Sequence, residues 1–78
     1  MSDAVHSPSH YQRGGLECKD ALKAMLCGML VPSIVSYWWG CAFKYLWRWP
    51  AKGGVQDLEK CRECLDVMIA EAKAAGMK

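Results

Sequence analysis

Residues 33–48 read SIVSYWWGCAFKYLWR and decide the fold of the chain. Apolar side chains cover most of the circumference of a helix drawn through this segment, and no acidic residue interrupts it. Ser33 is the expected N-cap directly after Pro32, and the helix should stop before Pro50, because the residue preceding a proline disfavours helical backbone. A helix that is apolar on nearly all sides is predicted to be central and buried.

The segments on either side repeat apolar residues at helical spacing. The upstream helix is predicted from about Glu17 to about Met29, and the downstream helix from about Val55 to about Ala74, before Gly76. No strand-like alternation is found in the chain. We therefore predict an all-α fold, a small three-helix domain. The two apolar stripes are Leu22, Met25, Leu26 and Met29 upstream, and Leu58, Cys61, Leu65, Met68, Ile69 and Ala72 downstream.

Residues 1–15 differ in character from the remainder of the chain. They carry Ser, Pro, His and a Gly14-Gly15 pair without periodicity, so we predict an extended N-terminal arm followed by a single helical domain, residues 16–78. A domain of this size buries only about 60% of its extended surface. Because 53% of the 78 residues are hydrophobic, three short helices cannot bury all of that surface, and we expect a homo-oligomer.

Five cysteines are distributed through the chain, and we expect reduced thiols that pack as small hydrophobic side chains. Residues 1–4 are polar and show no secretory signal, which favours a cytoplasmic protein without disulfides. The apolar stretch 25–39 is interrupted by Gly28 and Pro32, so it is too short to span a membrane. The cysteines are Cys18, Cys27, Cys41, Cys61 and Cys64.

Cys61 and Cys64 form a CxxC pair. A zinc site needs four ligands and this pair supplies two, with His6 and His10 as the candidates to complete it. A redox CxxC normally lies at a helix N-terminus, where the dipole lowers the thiol pKa, whereas this pair lies two turns inside the third helix. We predict packing in the core or at an interface, with no bound metal, and keep the metal and redox interpretations as alternatives.

Lys44, Arg48 and Lys52 fall within nine residues that contain no acid. Lys44 and Arg48 are one helical turn apart and share a face. The glycine turn 53–54 leads into the third helix, whose N-terminal N–H groups favour anions, so this region predicts a phosphate site. No P-loop or other complete catalytic motif is present. The alternative is that the cations fasten the helices by pairing with three acids, Glu17, Asp20 and Asp57.

Three blocks of sequence then suggest a family. Residues 10–20 read HYQRGGLECKD, residues 40–48 read GCAFKYLWR, and residues 52–60 read KGGVQDLEK. Together they resemble a small phage and prophage domain of unknown function, labelled SaV-like, whose pattern is approximately HYxxGGIExxD, GNxxKYLxR and KGGxEDLxKA. The similarity covers roughly residues 8–70. Cys41 departs from the pattern, which has Asn there, and the stretch 26–39 is longer and more hydrophobic.

A similar domain occurs in a phage nucleotide kinase that lacks a P-loop. The resemblance therefore implies a viral protein acting in the host bacterial cytoplasm, and it implies nucleotide binding. The residues that match the family pattern are His10, Tyr11, Glu17, Asp20, Lys44, Arg48, Lys52, Asp57 and Lys60.

The first functional hypothesis is a small nucleotide-binding module. Lys44, Arg48 and Lys52 would hold phosphates, while His10 and Tyr11 close over the ligand from the arm. We expect binding or sequestration of a nucleotide, such as a host defence signal, rather than turnover. Nucleotide kinase activity is implied by the resemblance alone, and it would require magnesium bound with the nucleotide.

The second hypothesis is an interaction protein. A phage inhibitor of this size would cover a host enzyme or defence complex, as an anti-CRISPR-like or other anti-defence protein does, through an exposed aromatic surface formed by the surplus tryptophans and Tyr37. Nucleotides should raise the melting temperature under the first hypothesis only.

Overall fold

The computed structural model describes residues 12–78, and it consists of three α-helices preceded by a very short hairpin. The helices are α1 (Cys18–Leu26), α2 (Ser33–Arg48) and α3 (Val55–Ala74). The all-α prediction is confirmed, and the bounds expected for α2 and α3 are confirmed as well. The predicted arm lies mostly outside the described residues. No helix among residues 12–78 is long and apolar enough to cross a membrane.

The hairpin is a feature that the sequence did not predict. Strand β1 (Gln12–Arg13) pairs antiparallel with β2 (Leu16–Glu17), with Gln12 opposite Glu17. The turn between them has φ values of 59° and 79° at Gly14 and Gly15. Glycine adopts positive φ without steric cost, and two-residue hairpin turns require it, so the Gly14-Gly15 pair can form this turn. Strands of two residues are too short to show alternation in the sequence.

Helix α1 ends three residues earlier than predicted. Its last residue is Leu26 rather than Met29, and Cys27 is already extended, with φ −62° and ψ 124°. Gly28 follows with φ 74°, a conformation that leaves the helix, and the N–H of Met29 donates to the carbonyl of Leu26 at 3.2 Å. The helical spacing of apolar residues continues to Met29, but the helix itself ends at Leu26 because Gly28 turns the chain away from it.

Helix α2 contacts both other helices, but it is less buried than its composition predicts. Only Val35 and Ala42 are buried, while Ile34, Tyr37 and Leu46 are 45%, 60% and 49% exposed. Two neighbouring helices cover only part of the circumference of a third, so much of this apolar helix faces outward.

Helix α2 begins at Ser33 as predicted, but its capping residue differs, because Ser33 was predicted to be the N-cap. Ser33 is instead the first helical residue, and Pro32 is the N-cap, with extended backbone at φ −56° and ψ 145°. The carbonyl of Pro32 accepts a hydrogen bond from the N–H of Ser36 at 3.1 Å. The proline therefore sets the start of the helix by its backbone, without a capping side chain.

The core lies between α2 and α3 and consists of small side chains. Ala42, Cys61 and Cys64 are buried together, and Trp38, Cys41 and Tyr45 pack against them. The Cys61 thiol donates to the carbonyl of Ala42 at 3.4 Å. The prediction that the CxxC pair packs in the core is confirmed, because both of its thiols are buried in this cluster.

This burial predicts an order of thiol reactivity. Burial raises the pKa of the Cys18, Cys61 and Cys64 thiols, which lowers their thiolate fraction at any pH below that pKa. Cys27 is exposed. Brief alkylation with iodoacetamide at pH 8, read by peptide mass spectrometry, should label Cys27 first and the three buried thiols last. Labelling of Cys61 or Cys64 as fast as Cys27 would contradict the described core.

Candidate functional site

Two cations lie over one aromatic ring at the α2–α3 surface and a third lines an adjoining cavity, and we name these three residues, Lys44, Arg48 and Lys60, the basic cluster. The guanidinium carbon of Arg48 lies 4.9 Å from the centroid of the Tyr45 ring, and the Lys60 amine lies 5.9 Å from it. Lys44 and Arg48 line a small cavity of about 70 Å³ together with Cys41 and Tyr45. The four-residue spacing within α2 and the packing of α3 against it bring these groups together.

Arg48 is held in place by a buried carboxylate. Its Nε donates to Oδ2 of Asp57 at 3.1 Å, and its Nη2 lies 3.4 Å from Oδ1, so the contact is two-pronged. The side chains of Arg48 and Asp57 are 17% and 3% exposed. The sequence left open whether the cations pair with acids and so fasten the helices. This pairing is confirmed for Arg48 and Asp57. Asp57 thereby fixes the guanidinium next to Tyr45 and offsets its charge.

The glycine turn before α3 binds this same carboxylate. The N–H of Gly53 donates to Oδ2 of Asp57 at 3.1 Å, and the N–H of Gly54 donates to the carbonyl of Trp49 at 2.7 Å. A Cβ atom on Gly53 would overlap the Asp57 carboxyl group. The N–H groups of Gly53 and Gly54 are therefore already used by the chain's own carboxylate and carbonyl, and the phosphate site predicted at this turn would have to use other donors.

The remaining predicted acids lie apart from this pair. Glu17 pairs with Lys19 at 3.4 Å on the hairpin side of α1. Asp20 is exposed in the first turn of α1, and its role as a structural or ligand-orienting acid stays a prediction. Lys52 is exposed in the turn, where its backbone N–H donates to the carbonyl of Arg48 at 3.0 Å. His10 and Tyr11 lie outside the described residues.

Lys44 also has an electrostatic effect on a thiol of α1. Burial raises the pKa of the Cys18 thiol, and the positive charge of Lys44 partly offsets that rise. Cys18 is the first residue of α1, where the N-terminal N–H groups of the helix add positive potential.

A larger groove adjoins the basic cluster between α2 and α3. It encloses about 350 Å³ and shares Tyr45 with the small cavity beside Lys44. The sequence assigns neither Trp38 nor Glu63 to a ligand site, and both line this groove. A helical alignment of α2 would have placed Trp38 on the face of Tyr45, two turns away, but the approach of α3 is a tertiary contact. The lining residues are Trp38, Tyr45, Lys60, Glu63, Cys64 and Val67.

The aromatic side chains predicted to form a surface are divided between exposed and half-buried positions. Tyr37 is exposed and lies edge-on to Trp38, with ring centroids 5.1 Å apart. Trp47 is half-buried and tilted against Phe43 at 5.6 Å. At the other end of the helix pair, Trp39 lines an apolar cavity of about 270 Å³ together with α3 side chains. The exposed aromatic group of α2 is thus Tyr37 rather than the tryptophans.

Comparison with known proteins identifies a family for this chain, but that family has no described activity. A family model described as a protein of unknown function, DUF3310, matches residues 5–66, which are 62 of the 78 residues. This range includes the hairpin, the basic cluster and the glycine turn. No curated protein and no solved structure matches the chain.

Proposed function

We propose a nucleotide-binding role for this chain, which belongs to the DUF3310 family of proteins of unknown function. The observation that carries the proposal is the basic cluster, in which Arg48 and Lys60 lie within 6 Å of the Tyr45 ring centroid, beside two cavities that meet at this ring. Phosphate groups require positive charge, and nucleobases stack on aromatic rings, so the combination suits a nucleotide.

The two lysines of the cluster supply most of the net charge for a phosphate. Asp57 offsets the charge of Arg48, whereas the side chains of Lys44 and Lys60 are exposed and long enough to reach a ligand. A phosphate monoester carries a charge of about −1.5 to −2 at neutral pH, which two lysines balance. Arg48 acts as the rigid element between them. Lys52 adds long-range attraction from the turn, and the arm residues His10 and Tyr11 complete the proposed site.

The proposed role is to bind a nucleotide without converting it to a product. Asp57 is the one buried acid among the described residues, and the Arg48 guanidinium and the Gly53 N–H already bind it. It therefore serves to orient the site rather than to bind magnesium or accept a proton. A phage protein with this site would act in the host bacterial cytoplasm by sequestering a nucleotide or a nucleotide-derived defence signal, with magnesium entering together with the nucleotide.

Charge variants test this proposal. Lys44→Gln and Lys60→Gln should each weaken nucleotide binding by roughly 5- to 20-fold, because each removes one charge-assisted contact. Lys73→Gln is the matched control, since it removes the same charge from an exposed position about 20 Å further along α3. Calorimetric titration measures the affinities. Equal losses in all three variants would show that overall charge, and not the basic cluster, determines binding.

A second candidate function is favoured by one observation, the exposed apolar surface at the N-terminal end of α2. Leu30 is 99% exposed, and Ile34 and Tyr37 follow it on the outer side of the helix. Apolar patches of this kind mark protein contacts. The chain would then be a phage inhibitor that covers a host enzyme or an anti-defence target, and the same surface would serve homo-oligomer formation.

Self-association is the measurable part of this second candidate. Light scattering at micromolar concentration should give a mass above the 8.7 kDa of one chain, and reductant should not change it. Leu30→Asp should return the mass to that of the monomer, because a charge at a fully exposed position disturbs an interface without entering the core. A wild-type protein that is already a monomer would remove the expectation of an oligomer.

A further inference from the structure

The groove between α2 and α3 has two aromatic walls and two charged groups. Trp38 and Tyr45 are seven residues apart, so they lie on the same side of α2, separated by about 10 Å along its axis. Lys60 and Glu63 face them from consecutive turns of α3. The volume of about 350 Å³ is within the range of small-molecule sites, which begins near 300 Å³.

The charges around Tyr45 restrict what the groove can accept. Arg48 and Lys60 already lie within 6 Å of the ring centroid, so a further cation would be repelled. An uncharged planar ring is not repelled, and it gains stacking energy on Trp38 or Tyr45. Glu63 can only accept hydrogen bonds when ionised, and Lys60 can only donate them. A heteroaromatic ring with both N–H groups and carbonyl or ring-nitrogen acceptors on its edge satisfies both residues.

We propose that this groove is the base subsite of the nucleotide site, with Trp38 as the stacking residue and Glu63 as the acceptor for base N–H groups. This inference rests on the proposed function, because it assigns the phosphate to the adjoining basic cluster. Tyr45 lines both cavities, so a ligand that follows its ring passes from the lysines into the groove. The chemical class of the ligand is then a nucleotide with its base attached, rather than any phosphorylated sugar.

The test compares ligands with and without a base. The four deoxynucleoside 5′-monophosphates and 2-deoxyribose 5-phosphate are titrated into the wild-type protein, Trp38→Leu, Trp38→Tyr and Trp47→Leu. Wild-type protein should bind at least one nucleotide roughly 10-fold more tightly than the sugar phosphate, because stacking of one base on an aromatic side chain contributes this much. Trp38→Leu should lose that difference while keeping its affinity for the sugar phosphate, which also shows that the variant is folded.

The two remaining variants separate stacking from packing. Trp38→Tyr retains an aromatic face and should keep most of the difference, and Trp47→Leu removes an indole that does not line the groove and should keep all of it. Equal binding of nucleotide and sugar phosphate by wild-type protein would overturn the base subsite and leave phosphate binding standing. A wild-type protein that binds neither ligand would overturn the proposed function together with this inference.

Discussion

Asp57→Ala should lower the free energy of unfolding by about 3 kcal/mol, a cost typical of removing one partner from a buried ion pair. The substitution leaves the half-buried Arg48 guanidinium without its carboxylate, and the N–H of Gly53 without its acceptor. A domain of this length has a total stability of only ~4–12 kcal/mol, so the loss is a large share of it. Urea denaturation followed by circular dichroism measures the change.

A control substitution of another aspartate in α3 shows whether the loss of stability is specific to Asp57. Asp66 is exposed, and Asp66→Ala should change stability by less than about 0.5 kcal/mol, the usual range for surface substitutions. Asp57→Asn keeps an acceptor for the Gly53 N–H and loses only the charge, so it should fall between the two. If Asp57→Ala were no more destabilising than Asp66→Ala, the carboxylate would not fasten α3 to the end of α2.

Gly53→Ala should destabilise the protein by a similar amount, about 3 kcal/mol, because the added methyl group displaces the Asp57 carboxylate and so breaks the same ion pair. The reason is space and not backbone conformation, since Gly53 does not have a positive φ. Gly54 differs, with φ 59° and no atom within 4 Å of a Cβ built there, so Gly54→Ala tests backbone strain alone, about 1–3 kcal/mol.

The double variant distinguishes these causes. In a chain that already carries Asp57→Ala, the carboxylate is gone, and Gly53→Ala should cost little more. The two effects should therefore be strongly non-additive, whereas Gly54→Ala should add its full cost to Asp57→Ala. Additive losses for Gly53→Ala and Asp57→Ala would mean that the glycine is required for a reason other than the approach of the carboxylate.

The parts of the fold that depend on local signals could be predicted from the sequence. The ends of α2 follow from Pro32 and Pro50, and the start of α3 follows from the glycine turn, because these residues act on the backbone next to them. Helix α1 was predicted too long because its apolar stripe continues beyond Gly28, whose left-handed backbone ends the helix. The short hairpin was missed because its strands hold two residues each.

The candidate site could be predicted only within one helix. Lys44 and Arg48 share a face by their spacing along the chain, and the sequence gives that directly. The approach of Lys60 and Glu63 to Tyr45 depends on how α3 packs on α2, which no local pattern specifies. The glycine turn could not be predicted fully either. The sequence predicts a bound phosphate there, whereas the anion that accepts from the Gly53 N–H is the chain's own Asp57 carboxylate.

The central claim is that the basic cluster binds a nucleotide, and a thermal-shift screen of wild-type protein against nucleotides and cyclic dinucleotides tests it most directly. At a concentration about 100 times its dissociation constant, a ligand that binds only the folded state stabilises it by ~2.7 kcal/mol. For a domain of this size each kcal/mol raises the melting temperature by about 4–8 °C. We predict that at least one nucleotide gives a concentration-dependent rise of about 10 °C or more, which the Lys44→Gln and Lys60→Gln substitutions together reduce to about a third or less. If no nucleotide raised the melting temperature, nucleotide binding would be contradicted, and the second candidate function, contact with a protein partner, would take its place.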